Sequence, residues 1–301
     1  VTEYRLPATR ETTVDVFDRA TPPVLTVDPG DFVVVGSLDA AGYLDRRVLG
    51  PTMFPERRGH CLTGPIAVRG AEPGMVLGVH FTSITPGDWG WTAAGTKDTA
   101  LNRRLGVAGG PGAWLTWDVG PESATSDLGH TVAVAPFLGV VGVPPAEPGP
   151  HPTIPPRAAG GGNLDCRDLV AGSTLFLPLT VPGALLHLGD GHAAQGHGEV
   201  GGTAIECPMT TAVTLSLAAD AAVPGIHAET PEGRVTFGFG TDLNEAMADA
   251  LAAMVTWLQR LHGLDRATAL ALASPVVDLR ITQVANETWG VHAVLPHGAI
   301  R

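Results

Sequence analysis

Lysine is almost missing from this sequence. Of its 18 cationic side chains only Lys97 is a lysine; the others are arginines. Schiff-base aldolases, pyridoxal enzymes, Walker-type phosphate loops and Ser–Lys amidases all need a placed lysine. The surroundings Gly95-Thr96-Lys97-Asp98 match none of those settings. Cysteine is scarce as well: Cys61, Cys166 and Cys207 are odd in number, far apart and form no CxxC pair. That excludes a disulfide framework and suits a reducing compartment. Positive charge is short overall, 18 Lys+Arg against 30 Asp+Glu for a net charge of −12, so neither nucleic acid nor an anionic membrane surface is an expected partner. No apolar run reaches membrane-spanning length, and Val1-Thr2-Glu3-Tyr4-Arg5 opens no hydrophobic leader. A soluble, cytoplasmic protein is the expectation.

Glycine and proline are plentiful, 39 and 26 in 301 residues, alongside 44% hydrophobic and 16% charged residues. Such a chain has material for a core and favours tight turns and short strands over long helices. Short apolar stretches at Phe32–Val35, Val76–Phe81, Val132–Ala135 and Leu175–Leu179 are set off by Pro-Gly, Gly-Asp or Ala-Gly turns. Two strand entries are alike, Asp28-Pro29-Gly30-Asp31 and Glu72-Pro73-Gly74-Met75. Residues 86–128 carry Trp89, Trp91, Trp114 and Trp117 with weak periodicity, as an excursion on the sheet or as a pocket wall or subunit contact. Residues 144–156 are proline-rich and read as an ordered, extended connection. Helical spacing comes late: Leu243, Met247, Ala250, Leu251, Met254, Leu258 and Leu261 share one face, Asp242 with Glu245 makes the start, and Gly263 the stop. A shorter helix from an Asp265 cap to the residues before Pro275 follows, then strands near Leu279–Val284 and Val291–Leu295. The expected fold class is α+β, predominantly β, with a β-sandwich-like core of short strands and a helical hairpin late in the chain. It is read as one unit over 1–301, β-rich over 1–220 and α+β over 221–301.

The densest polar constellation runs from Gly160 to Glu206. It contains Gly160-Gly161-Gly162-Asn163-Leu164-Asp165, then Gly189-Asp190-Gly191-His192-Ala193-Ala194-Gln195-Gly196-His197-Gly198-Glu199, and closes at Glu206. Polar side chains cut into an apolar β framework are costly to bury unless paired or bound to a metal. Asp165, Asp190, His192 and Glu199 together are what a divalent-metal hydrolase needs. The same residues also read as a hydrogen-bonded turn network, with Asp190 closing a Gly189–Gly191 turn, Asp165 capping a bend, and His192 and Glu199 bonding to backbone. His187 alternates with apolar neighbours and points from a strand into solvent or a pocket on this reading, and His197 is a rim residue.

These segments resemble the signatures of the acetamidase/formamidase family, approximately GGN-x-D and GD-x-H-x-x-QG-x-GE. Upstream, His60-Cys61-Leu62-Thr63-Gly64-Pro65-Ile66 and Gly70-Ala71-Glu72-Pro73-Gly74 are similar to the family's H-x-L-[ST]-GPI and GAEPG motifs, and Pro136-Phe137-Leu138-Gly139, Ser274-Pro275 and Ile281-Thr282 also fit. The match runs in order over nearly the whole chain. It departs at His197, where the family frequently has Asp, and at Met75, where Asp commonly follows GAEPG. The resemblance implies an amidohydrolase that cleaves short aliphatic carboxamides of the formamide or acetamide type to carboxylate and ammonia. It also implies a homo-oligomer whose partner is the small amide. With it, Asp165, Asp190 and His192 are the expected ligands of a divalent metal. Zinc stands first, and calcium, magnesium or manganese are allowed by the oxygen-rich set. Glu199 is the expected proton shuttle, His60 a further ligand or carbonyl-polarising group, and Asn163, Gln195 and Glu206 second-layer or substrate-binding residues. The alternatives are a metal hydrolase of a larger or cyclic amide, and a non-catalytic small-ligand binding protein. A thiol route is disfavoured, since no cysteine sits in a nitrilase-like Cys–Glu–Lys setting, and no GxSxG elbow occurs.

Overall fold

The computed structural model describes residues 2–46 and 49–301. Three sheets carry it, with few helices. The largest has nine strands, in spatial order Glu3–Leu6, Phe32–Ser37, Met209–Ala218, Val76–Pro86, Thr174–Pro178, His227–Glu229, Gly233–Gly240, Trp289–Pro296 and Asp278–Gln283. The second is built on Gly161–Asn163, Phe137–Gly142, Leu186–His192 and Leu62–Val68, with Thr13–Val14 and Leu25–Val27 both pairing to the last of these. A four-stranded sheet of Thr131–Ala133, Ser123–Ser126, Ala113–Val119 and Trp89–Ala94 holds the tryptophan-bearing segment. The two similar Pro-Gly entries lead into Phe32–Ser37 and Val76–Pro86, which flank Met209–Ala218 on either side, each antiparallel to it.

Burial explains the sequence pattern. Phe32–Ser37 and Thr174–Pro178 alternate between buried and half-buried positions, as a strand with one covered face does. Leu62–Val68, Phe137–Gly142 and Leu186–His192 are buried at every residue, so they read as runs rather than alternations. The main core fills the space between the two large sheets, with Val79, Phe81 and Leu177 from one and Ile66, Leu138, Val141, Leu186 and Leu188 from the other. The fold is α+β and predominantly β, as expected.

The late helices also fall where spacing and caps place them. Helix α1 (Ala100–Leu105) is a short insertion in the tryptophan-bearing segment. Helix α2 (Leu243–His262) starts at Asp242, whose carboxylate accepts from the Asn244 and Glu245 N–H groups, and stops at Gly263 with φ +65°. Helix α3 (Arg266–Ala273) starts at Asp265, which accepts from Ala267 and Thr268. Ala246, Ala250, Met254 and Leu258 of α2 are buried against Val291, Ala293 and Leu295, while Leu261 at the open end stays 41% exposed. Two expectations change. Val132–Ala135 yields only the exposed three-residue strand Thr131–Ala133. His187 faces neither solvent nor a pocket: it is fully buried, edge-on to Phe17 at 5.2 Å.

Candidate active site

The strands Phe137–Gly142 and Leu186–His192 run antiparallel, pairing Phe137 with His192, Leu138 with Gly191 and Val140 with Gly189. Gly139 therefore lies across from Asp190. A Cβ placed at Gly139 would come 2.5 Å from Asp190 Oδ2, 2.8 Å from Asp165 Oδ1 and 2.8 Å from His192 Cε1. The missing side chain leaves the space around which the polar groups gather. The Gly139 carbonyl also accepts from the Leu164 and Asp165 N–H groups at 2.8 and 3.1 Å, which fixes where Asp165 enters.

Around that space stand Asp165, Asp190, His192, Glu199 and Glu206, all buried. His192 Nε2 lies 3.4 Å from Asp190 Oδ1 and 3.3 Å from Glu206 Oε2, and its ring meets Phe137 edge-on at 4.9 Å. His60 Nε2 lies 3.9 Å from Asp190 Oδ2, and with 19% of its side chain exposed it marks the open side. Asn163 Nδ2 donates to Asp165 Oδ2, and Gln195 Nε2 donates to the Asp165 carbonyl at 2.8 Å. The structure thus brings together all eight residues singled out in the sequence.

Local backbone pins these side chains at an energetic cost. Asp165, Asp190 and Glu199 have φ of +52°, +58° and +46°. Non-glycine residues held there typically cost about 1–3 kcal/mol each, and such strain clusters at functional sites. Asp190 does not close a Gly189–Gly191 turn, because all three residues lie inside the strand Leu186–His192. Nor does Asp165 merely cap a bend, since its side chain points into the cluster.

Three contributors carried no site role in the sequence reading. Thr153, in the proline-rich connection, contacts His60 Nδ1 through its hydroxyl at 2.7 Å and accepts from the Asn163 N–H through its carbonyl at 3.1 Å. Trp91 pairs its backbone with Glu206, Trp91 N–H to Glu206 O at 3.0 Å and Glu206 N–H to Trp91 O at 2.8 Å. Asp39 is buried and accepts from the Trp91 indole at 3.1 Å, anchoring that strand. Thr153 and Asp39 are ordinary in sequence; Gly139 stood in a family motif, with nothing to mark it as the gap.

The electrostatics are those of an unfinished site. Four carboxyls face two imidazoles out of water. Burial, with Glu199 and Asp190 nearby, raises the Asp165 carboxyl well above its ordinary value. Burial lifts Glu199 to about 7 and Glu206 to about 8, against the pull of His192. For Asp190 burial acts upward too, but His60 and His192 outweigh it and hold the carboxyl low. Burial disfavours a charged His192, but Glu206 and Asp190 raise its pKa well above the usual histidine range. Asn163 Oδ1, Asp165 Oδ1, Asp190 Oδ1, Gln195 Oε1, Glu206 Oε2 and both His192 ring nitrogens have no hydrogen-bond partner. Asp165, His192 and Glu199 offer donor atoms within 4.8 Å of one another, as do Asp190, His192 and Glu206. Orphaned carboxyl oxygens beside imidazole nitrogens are the donor set of a divalent cation, and the residues fit one.

Comparison with known proteins agrees with this geometry. The sequence profile described as the Acetamidase/Formamidase family matches residues 146–231. The acetamidase of Bacillus halodurans has the same fold at a TM-score of 0.87 and 27% identity, over 97% of both chains. The chain resembles the acetamidase/formamidase family in this segment and in its fold. The acetamidase of Yersinia enterocolitica is 26% identical with a TM-score of 0.87, over 100% of this chain and 94% of that one. A Schizosaccharomyces pombe protein, provisionally named a formamidase, is 28% identical over 194 residues, 47% of this chain and 47% of its own. The chain thus spans about half the length of that curated relative. The strained acids and the gap at Gly139 lie inside the segments that carry the family signatures.

Proposed function

We propose that this protein hydrolyses short aliphatic carboxamides, of the formamide or acetamide type, to carboxylate and ammonia. The observation that carries the reading is the ring of unpartnered buried oxygens and imidazole nitrogens around the space left by Gly139. The names acetamidase and formamidase borne by its relatives support the choice of substrate. Asp165, Asp190 and His192 would hold a divalent cation, zinc by preference; His192 has donor atoms within 4.8 Å of those of Asp190 and Glu206, and likewise of those of Asp165 and Glu199. When bound, such a cation polarises a carbonyl oxygen and lowers the pKa of water to about 7.

The remaining work falls to the chain's own groups. Amide nitrogen leaves poorly unless protonated, so one group must take a proton from water and deliver it to nitrogen. Glu199, with its carboxyl lifted to about 7 by burial, exchanges a proton near neutrality and is the shuttle. Burial lowers the His60 pKa, against the pull of Asp190. In the tautomer where the Thr153 hydroxyl donates to Nδ1, the ring proton is on Nε2, the nitrogen 3.9 Å from Asp190 Oδ2, where it can donate to a substrate carbonyl. Asn163 Oδ1 and Gln195 Oε1 are free acceptors suited to the two N–H bonds of a primary amide. A homo-oligomer with contacts through the four-stranded sheet is part of this reading, since Trp114 and Val132 are exposed there. So is a cytoplasmic setting, which three buried free cysteines suit. Among the described residues no helix is long and apolar enough to cross a membrane.

The test is ammonia release from formamide and acetamide by purified protein, before and after chelation and re-addition of zinc. Activity should vanish on chelation and return with the metal. Glu199→Gln should lower kcat by ~10²-fold or more with unchanged metal content. No ammonia under either condition would overturn the proposal.

A further inference from the structure

On the outer side of the loop that carries Gln195 and Glu199 lies a second cluster. His197 Nε2 is 3.7 Å from Asp168 Oδ1, and His292 Nε2 is 3.0 Å from Asp168 Oδ2. These three donors lie within 4.8 Å of one another. They come from three separate places: the turn after the Gly-rich strand, the loop 195–199, and the strand Trp289–Pro296. We propose that Asp168, His197 and His292 form a second divalent-metal site, separate from the proposed active site and suited to zinc or another borderline transition ion.

The donor set is the first argument. Two imidazole nitrogens and one carboxylate oxygen suit zinc, nickel or copper better than calcium or magnesium. Orientation is the second. His292 is fully buried, and its Nδ1 lies 2.7 Å from the Thr282 hydroxyl. Nε2 is hydrogen-bonded to Asp168 Oδ2 at 3.0 Å, so a metal would take the place of that bond, with the Thr282 contact then holding the Nδ1 proton as outer partners of ligating histidines commonly do. Charge is the third. Arg280 donates to Asp168 Oδ2 at 2.8 Å, but it also meets Glu232 and Asp278. Two guanidiniums, Arg280 and Arg167, against the three carboxylates leave the neighbourhood negative by one charge. Arg280 can keep Oδ2 while Oδ1, the oxygen nearer His197, turns to a cation.

Access completes the argument. His197 keeps 35% of its side chain exposed, so an ion and its waters can enter past the one ligand free to adjust.

Zinc binding to chelator-treated protein tests this, counted by equilibrium dialysis for the natural chain and for H197A. The long-range proton–nitrogen NMR spectrum of the ring nitrogens is recorded in parallel. The natural chain should hold one more zinc per molecule than H197A, with His197 and His292 Nε2 signals shifting together and saturably. Equal zinc counts with those two rings unshifted would overturn the proposal and leave a plain ion-pair network. Neither readout depends on turnover, so failure here is distinguishable from failure of the amidase reading.

Discussion

Gly139 is the residue whose chemistry is an absence. Any β-carbon there would overlap the oxygens of Asp190 and Asp165. Gly139→Ala should therefore cost the zinc held by Asp165, Asp190 and His192, leaving any ion at Asp168, His197 and His292, and lower amide turnover at least tenfold, while far-ultraviolet circular dichroism stays that of a β-rich protein. Metal analysis of the purified variant checks this. His187 acts through its protonation. Burial lowers its pKa from 6.5 to about 4, so the folded chain keeps it neutral where the unfolded chain would charge it. The unfolded state binds the extra proton as pH falls below 6.5, and folding stability drops across the window from 6.5 to about 4. The whole interval corresponds to about 3 kcal/mol at most. His187→Gln should flatten that part of the stability–pH curve, read as urea midpoints at pH 7, 5.5 and 4.5. Parallel curves for the two proteins would remove His187 from the account.

At the scale of elements, caps and periodicity were legible because they are local. Asp242, Gly263 and Asp265 bound helices α2 and α3 in the structure as their side chains and backbone freedom dictate. Asp190 was legible as a site residue but not as a strand residue, because its neighbours Gly189 and Gly191 suggest a turn and only the pairing with Phe137–Gly142 and Leu62–Val68 makes a strand of them. Thr153 and Trp91 could not be read as supports of the site, since their partners lie about a hundred residues away or pair through backbone. The docking of α2 rests on another close approach. A Cβ at Gly238 would overlap the Ala246 carbonyl oxygen and come 2.6 Å from Ala250 N, while the Thr236 hydroxyl donates to the Ala250 carbonyl at 2.7 Å. Gly238→Ala should force α2 off its sheet and destabilise the fold by about 1–3 kcal/mol, the usual range for overpacking. Urea denaturation measures it, with site-bound zinc expected to stay put because α2 contributes no ligand.

Across the whole molecule the three thiols are withheld from chemistry. Cys61, Cys166 and Cys207 are buried and free, and burial pushes the Cys61 thiol up to about 12 and the other two higher still. A thiol without an accessible thiolate is a poor nucleophile. Iodoacetamide at neutral pH should leave the native protein's amidase activity intact and label it only after unfolding. Inactivation of native protein by one equivalent of label would revive a covalent mechanism.

The donors around Gly139 come from widely separated stretches, His60, Asp165, Asp190 to Glu199, and Glu206, and the loop bearing Glu199 is tied to the edge of the nine-stranded sheet by Gly198 N–H to Thr282 O at 3.1 Å and Val284 N–H to Gly198 O at 2.8 Å. An ion seated there would act as a rivet through otherwise distant chain. It would add to the unfolding free energy by mass action, about 4 kcal/mol at a thousandfold excess over its dissociation constant. Two preparations of the same polypeptide, one passed over chelating resin and one not, would then melt at different temperatures, and the gap would measure handling history rather than sequence.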